Sequence, residues 1–165
     1  MPIIDSMLQE FEQEAATTRR VLERVAEGHL TWKPHTRSMS LGQLALHIAT
    51  APGNIATMAQ LDYFEFSDFK QDEATSTAQV LEAFEASLTT VREALSTKSD
   101  DWMMSLWTAG RNGETIMTLP RVALVRAILL NHWYHHRGQL TVYLRLLDIP
   151  VPSVYGPTAD ENPFA

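Results

Sequence analysis

The sequence predicts an all-α fold of four amphipathic helices, with one short β-hairpin between the third and the fourth. Three observations support this fold class. Apolar residues recur every three or four positions in four segments, which is the period of a helix with one buried face. Two of these segments begin with a helix-capping pattern. An Asn-Gly pair between the last two segments is typical of a tight β-turn.

The first predicted helix has a buried stripe and ends near Gly28, because glycine is a common stop signal. Its stripe steps alternately by four and three residues, as in a helix packed against antiparallel neighbours. The stripe consists of Ile4, Leu8, Phe11, Ala15, Thr18, Leu22 and Val25. Pro34 cannot continue the helix. His29 and His35 fall in or beside the connection that follows, and we interpret them as solvated loop residues.

The second predicted helix begins at a capping box formed by Ser40 and Gln43. Its buried stripe consists of Leu41, Leu44, Ile48, Ala51, Ile55 and Met58. Pro52 predicts a kink about three turns into the helix. His47 lies roughly 70° from the centre of the stripe, so it can face a neighbouring helix without filling the core. Asn54 lies on nearly the same face and either lines the same cavity or is a surface residue.

Residues 61–75 show no clear helical pattern and are predicted to form an irregular connection. Its aromatic residues, Phe64, Phe66 and Phe69, are expected to pack onto the helices or onto a second subunit. The connection therefore contributes either to the core or to an interface.

Ser76 and Gln79 form a second capping pattern and begin the third predicted helix. Its stripe consists of Thr77, Leu81, Phe84, Leu88, Val91 and Leu95. The helical pattern does not continue through residues 103–118, where Asn112-Gly113 predicts a hairpin turn. We expect this hairpin to cover one end of the helices.

The fourth predicted helix spans residues 119–147, with Pro120 in its first turn. Its apolar seam consists of Val122, Val125, Leu129, His132, His136, Leu140, Tyr143 and Leu147. Two imidazoles thus occupy steps that leucines would otherwise fill. His132 and His136 point within about 40° of each other, one turn apart, which lets two imidazoles share a metal ion. Either the pair binds a metal with a third ligand from elsewhere, or both are hydrogen-bonded core residues.

Composition restricts the possible functions. A length of 165 residues with 45% hydrophobic residues fits a single domain over residues 1–165. The formal net charge of −7 repels nucleic-acid phosphates and anionic membrane surfaces. Cysteine is absent, so any metal must be bound by His, Asp or Glu. The chain has no targeting pattern at its start and no run of 18 apolar residues, so we expect a cytoplasmic protein.

Three stretches of the chain carry a resemblance to a known family. Residues 40–49 (SLGQLALHIA), 132–140 (HWYHHRGQL) and 149–157 (IPVPSVYGP) together resemble the DinB-like superfamily, also known as the YfiT-like superfamily. The resemblance covers nearly the whole chain. It implies an up-down-down-up four-helix bundle in which one histidine of the second helix and an HxxxH pair of the last helix bind a divalent metal. By position, these ligands are His47, His132 and His136.

Helix geometry suggests roles for the neighbouring residues. Around the helix axis, Gln139 lies about 20° from His132. We therefore interpret it as a residue that supports a metal ligand from behind or contacts a substrate. Arg137 lies on the opposite side and is interpreted as a surface or interface residue. His135 either orients a neighbour or is solvated or at an interface. Asp148 stands where relatives often carry glycine after the last helix, and aspartate still adopts the left-handed conformation.

The resemblance also implies a class of chemistry. Similar proteins include thiol S-transferases that use low-molecular-weight bacterial thiols, and a thiol-dependent maleylpyruvate isomerase. Three neutral imidazoles leave a divalent ion such as Zn, Ni or Fe with its full +2 charge and open positions, which acidifies bound water or thiol. We expect a homodimeric enzyme that activates a thiol, or else water, for attack on an electrophilic small molecule. The alternative is a non-catalytic metal-binding or stress-related helical bundle.

Overall fold

The structure is a computed structural model that describes residues 1–68 and 70–164, so Phe69 lies outside the described residues. The chain is mostly helical and carries a small three-stranded sheet. Its first helices are α1 (Ile3–Leu22), α2 (Leu41–Met58), α3 (Thr77–Leu95) and the short α4 (Asp100–Met104), with a 3-10 turn at Glu27–His29. The last helical stretch joins α5 (Arg121–Ala123), a π-helical segment (Leu124–Asn131) and α6 (His132–Leu146).

Helix α2 begins at the predicted capping box. The Ser40 hydroxyl accepts a hydrogen bond from the Gln43 amide at 3.0 Å, and the Gln43 side chain accepts one from the Ser40 amide at 3.0 Å. Helix α3 also begins where predicted, since Ser76 accepts from the Gln79 amide. There the Gln79 side chain accepts from the backbone N–H of Thr75 instead of completing the box. Capping chemistry therefore sets both starts.

The predicted hairpin is confirmed. Strands β2 (Leu106–Arg111) and β3 (Glu114–Pro120) pair antiparallel. Asn112 and Gly113 both have positive φ, 54° and 78°, as a two-residue turn of this kind requires. Pro120 ends β3 and directly precedes α5, one position before its predicted place in the helix.

The all-α prediction was incomplete because a third strand joins the hairpin. Strand β1 (Tyr63–Glu65) pairs parallel with β2, in the order β1-β2-β3. Three residues are too few to show the alternating pattern that identifies a strand in sequence. The nearby Phe64 and Phe66 pack against the hydrophobic core, with ring centroids 5.1 Å apart.

The core lies where the long helices meet. Helix α2 packs against α3, α6 and the π-helical segment, while α1 packs against α3 and α6. The α2 and α3 backbones come close at Gly53, whose amide donates to the Ser87 hydroxyl at 2.8 Å. The up-down-down-up order remains a prediction. Among the described helices, none has the length and apolar character needed to cross a membrane.

The sheet covers the C-terminal end of α2. Trp107 of β2 is fully buried, and its indole N–H donates to the Met58 carbonyl at 3.2 Å. Arg121 is 2% exposed, and its guanidinium joins the helix end to the sheet through five short hydrogen bonds. Its acceptors are the carbonyls of Ala59, Leu61 and Leu106, the hydroxyl of Ser105 and the carboxylate of Asp62. The hairpin therefore lies about 16 Å along α2 from His47, at the far end of the helix.

We expect Arg121→Leu to lower the free energy of unfolding by at least about 3 kcal/mol, because it leaves one buried and two partly buried carbonyls without their donor. Urea unfolding measures the change. Arg92→Leu is the matched control, since Arg92 forms a half-exposed pair with Glu12 that contributes about 1 kcal/mol or less. Equal losses in the two variants would contradict the structural role of Arg121.

Candidate metal centre

Three imidazoles converge between α2 and α6. His47 lies in the second turn of α2, while His132 and His136 occupy the first two turns of α6. One ring nitrogen from each lies within 4.8 Å of the other two. The ring centroids are 4.4–5.3 Å apart, and the ring planes are nearly perpendicular to one another. The structure thus brings together the three histidines that the sequence singled out.

The alignment of the two helices follows from Pro52. In a regular helix the carbonyl of Ile48 would accept from the backbone N–H of residue 52, but proline has none. The indole N–H of Trp133 donates to this carbonyl instead, at 2.9 Å. Ile48 follows His47 and Trp133 follows His132, so this bond places the two histidines side by side.

Trp133 is fixed from several directions. It is 1% exposed, and its ring stacks on Phe11 of α1 with centroids 5.2 Å apart and lies 6.2 Å from Phe84 of α3. The preceding π-helical segment ends at Asn131, and the His132 amide donates to the Ala127 carbonyl five residues back. Short π-helical insertions are frequent at functional sites because they redirect the residues that follow.

The buried seam of the last helix differs from the predicted seam by a shift of about one residue around His132 and His136. The buried positions of α6 are Trp133, Arg137, Leu140 and Leu144. His132 and His136 lie beside this stripe and are only half-buried. The imidazoles therefore do not replace core leucines, and the cluster lies at the edge of the core.

The interpretation of Arg137 as a surface residue was wrong. Its side chain is 2% exposed and forms an ion pair with Glu14 at 2.6 Å. It also donates to the Thr18 hydroxyl at 3.0 Å and contacts the Tyr155 hydroxyl. A buried charge is tolerated because these partners from α1 and the C-terminal tail compensate it.

Two glutamine side chains contact the outer ring nitrogens. The side-chain oxygen of Gln139 lies 2.7 Å from His136 Nδ1, on the outer side of the ring. Its role behind a metal ligand or against a substrate stays a prediction. The side-chain oxygen of Gln71 lies 3.0 Å from His47 Nδ1. Sequence reasoning missed Gln71 because it belongs to an irregular connection 24 residues from His47. No periodic pattern links the two.

The donor set fits a divalent ion. The Nε2 atoms of His132 and His136 are 2.9 Å apart, and two ligands on one ion with bonds of ~2.0–2.1 Å are separated by ~2.9–3.4 Å. Within the described residues, the buried Nδ1 of His132 has no hydrogen-bond partner. This nitrogen is not the one that faces His136, so the fit to an ion rests on the Nε2 geometry and on the all-imidazole donor set. No Asp or Glu of the described chain joins the group.

Burial keeps the imidazoles uncharged. Desolvation lowers the pKa of His47, against a smaller opposing effect of the Gln71 hydrogen bond. Desolvation and the neighbouring histidines lower the pKa of His132. For His136, desolvation is the largest cause and lowers the pKa to about 4. All three rings are therefore neutral near pH 7, the state in which a ring nitrogen can bind a metal.

The remaining candidates lie around the cluster. The ring of His135 is exposed, with its centroid 5.1 Å from that of His136. Asn54 is exposed on α2, as one of its two interpretations required. His29 and His35 are exposed, and the structure does not bring them into the cluster.

Comparison with known proteins identifies one matching family and two similar proteins of Bacillus subtilis. The model of the DinB family matches residues 1–162. The Bacillus subtilis (strain 168) protein YrdA is 27% identical over 162 residues, covering 96% of this chain and 91% of that protein. YjoA from the same organism is 25% identical over 142 residues, covering 86% of this chain and 88% of that protein.

Solved structures show the same fold. The crystal structure of a DinB-like protein from Bacillus cereus ATCC 10987 aligns with a TM-score of 0.71 and 25% identity, covering 92% of this chain and 97% of that chain. The crystal structure of the DinB-like protein YjoA from Bacillus subtilis aligns with a TM-score of 0.66 and 18% identity, covering 94% of this chain and 98% of that chain. The overall fold is thus DinB-like.

The Ile48–Trp133 hydrogen bond can be tested with Pro52. We expect Trp133→Phe to destabilise the protein, and we expect the loss to be smaller by about 1 kcal/mol in a Pro52→Ala background. Alanine restores a backbone N–H that can bond to the Ile48 carbonyl when the indole is missing. Urea unfolding of the wild type, both single variants and the double variant measures this coupling. An equal cost of Trp133→Phe in both backgrounds would refute it.

Proposed function

The chain belongs to the DinB family, and from this membership and its site geometry we propose that it is a metal-dependent enzyme that activates a low-molecular-weight thiol. The metal ligands are Nε2 of His47, His132 and His136. One observation carries the proposal: three neutral imidazoles from two helices converge within 4.8 Å. A divalent ion held by three neutral nitrogens supplies a Lewis acid with open coordination positions.

The chain's own residues prepare the site before any ligand arrives. Burial holds the imidazoles in the neutral form that binds metal. Gln71 and Gln139 accept from the outer nitrogens of His47 and His136, so the inner nitrogens carry the lone pairs. The half-buried position of the cluster leaves it accessible to a small molecule.

A thiol is favoured over water as the nucleophile. A free thiol has a pKa of about 8.5 and needs a small shift to ionise near pH 7, whereas water starts from about 15.7. Hydrolytic metal sites of the HExxH type add a glutamate as general base. No Asp or Glu among the described residues belongs to this cluster. The site is therefore better suited to a nucleophile that loses its proton easily.

The alternative is a metal-binding protein without catalytic activity. The same shortage of acid–base groups around the cluster favours it, because a site of imidazoles and amides can bind an ion without promoting a reaction. The two possibilities share the metal site and differ only in turnover.

Metal content tests the ligand assignment. We expect the purified protein to bind about one divalent ion per chain, measured by elemental analysis after removal of loosely bound metal. His47→Ala, His132→Ala and His136→Ala should each lower the affinity by at least about 100-fold, since each removes a ligand. His29→Ala and His35→Ala are the matched controls, because both histidines are exposed outside the cluster. Wild-type affinity in any variant of the first group would contradict the assignment.

Thiol transfer tests the catalytic proposal. We expect the metal-loaded protein to accelerate the reaction of monochlorobimane with at least one member of a panel of cellular thiols. The sulfur forms a bond to carbon, chloride leaves and the thiol proton passes to solvent. The rate should fall to background in His132→Ala and stay unchanged in His35→Ala. Normal metal binding without turnover for any thiol would support the non-catalytic alternative.

A further inference from the structure

The Gln71 and Gln139 contacts determine which nitrogen of each imidazole faces the cluster. An amide oxygen only accepts hydrogen bonds, so Nδ1 of His47 and of His136 must carry the proton. Each ring then has its lone pair on Nε2. The orientation of the Gln71 amide is itself supported, because its Nε2 donates to the Asp72 carbonyl at 3.3 Å.

Gln71 is held in place by the start of helix α2. The Gln43 side chain accepts from the Ser40 amide in the capping box, and its NH2 group donates to the backbone carbonyl of Gln71 at 3.2 Å. One glutamine thus both caps the helix and fixes the segment that carries Gln71. The capping box is connected to His47 through two successive hydrogen bonds.

A second contact fixes the same segment two residues later. The Ser40 hydroxyl donates to the carboxylate of Glu73. Gly42 makes room for this approach, because a Cβ at that position would lie 2.7 Å from Glu73 Oε1. Residues 71–73 therefore lie firmly against the first turn of α2, beside the histidine cluster.

We propose that Gln71 and Gln139 are positioning residues that orient His47 and His136, and that their uncharged amides make the site select an anionic exogenous ligand. This inference rests on the proposed function, since it concerns the same metal site. Outer partners of metal-bound imidazoles are often carboxylates, which bring negative charge to the site. The two amides here supply the same geometry with no charge.

The two helices that carry the histidines add little charge of their own. Helix α2 contains no Asp, Glu, Lys or Arg. Arg137 is the one charged residue of the sequence between His132 and Tyr143, and it is buried against Glu14 on the other side of α6.

Asp72 and Glu73 of the adjoining segment are exposed, and the Glu73 carboxylate is bonded to the Ser40 hydroxyl, so neither belongs to the cluster. The three imidazoles and two amides therefore contribute no negative charge against the +2 charge of a bound ion. An anion such as a thiolate supplies the missing negative charge.

Metal affinity tests the positioning role. Gln71→Ala and Gln139→Ala should each weaken Zn²⁺ binding about 10–100-fold while the melting temperature of the metal-free protein changes little. Gln43→Glu should weaken binding in the same way, because glutamate still accepts from the Ser40 amide but cannot donate to the Gln71 carbonyl. Gln60→Ala is the control, since Gln60 follows the C-terminal end of α2, away from His47, and its side chain donates to the Ala56 carbonyl.

Anion affinity tests the selectivity. Azide binding to the Co²⁺-substituted protein is followed by visible absorption. Gln71→Glu and Gln139→Glu should retain Co²⁺ and bind azide about tenfold more weakly than wild type, because each adds a negative charge near the ion. Gln60→Glu should not change azide binding.

The two proposals fail in different ways. A wild-type protein that binds no divalent ion overturns the proposed function. If the wild type binds Zn²⁺ and both alanine variants bind it equally well, the metal site stands and the positioning role is overturned. If azide binds the glutamate variants as tightly as wild type, the selection of an anion is overturned.

Discussion

The hydrogen bond between the Trp133 indole and the Ile48 carbonyl aligns the two helices that form the site. It exists because Pro52 cannot supply the N–H that a regular helix would offer to that carbonyl. A proline that weakens one helix internally thereby provides an acceptor for another. His47 and His132 each directly precede a partner in this bond, so a local defect in α2 sets the distance between two candidate metal ligands that are 85 residues apart in sequence.

Helix α6 packs into the core with one face and carries two histidines of the cluster on the adjacent face. Its buried face carries Trp133 and Arg137, which contact α1 through Phe11 and Glu14. The neighbouring face carries the half-buried His132 and His136 and the exposed Gln139. Packing on the first face holds the second in a fixed orientation, so the imidazoles need not pack into the core themselves. Rigid support behind a site reduces the reorganisation that ligand binding would otherwise require.

Much of the fold could be predicted from local patterns, and the parts that could not depend on distant contacts. The capping residue Ser40 and the Asn112-Gly113 turn act through their immediate neighbours, so the sequence reveals them. Arg137 was misread because a charged residue indicates the surface until its partners are known, and Glu14 lies 123 residues away. Gln71 belongs to no periodic segment. The HxxxH spacing identified two of the three histidines, and the position of His47 beside the buried stripe of α2 made it the candidate for the third, which the family resemblance also indicated.

The displacement of His132 and His136 from the core seam has a chemical consequence. Full burial would lower their pKa values further and keep them neutral, but it would also close the site to an exogenous ligand and to exchange of a bound ion. Full exposure would let them protonate near their ordinary pKa and compete poorly for metal. At the edge of the core, desolvation already lowers the pKa of His136 to about 4, and the ring remains half-buried rather than enclosed. The edge position thus meets both conditions that the proposed metal-dependent reaction imposes. Burial in the core, as the predicted seam implied, would meet only the first.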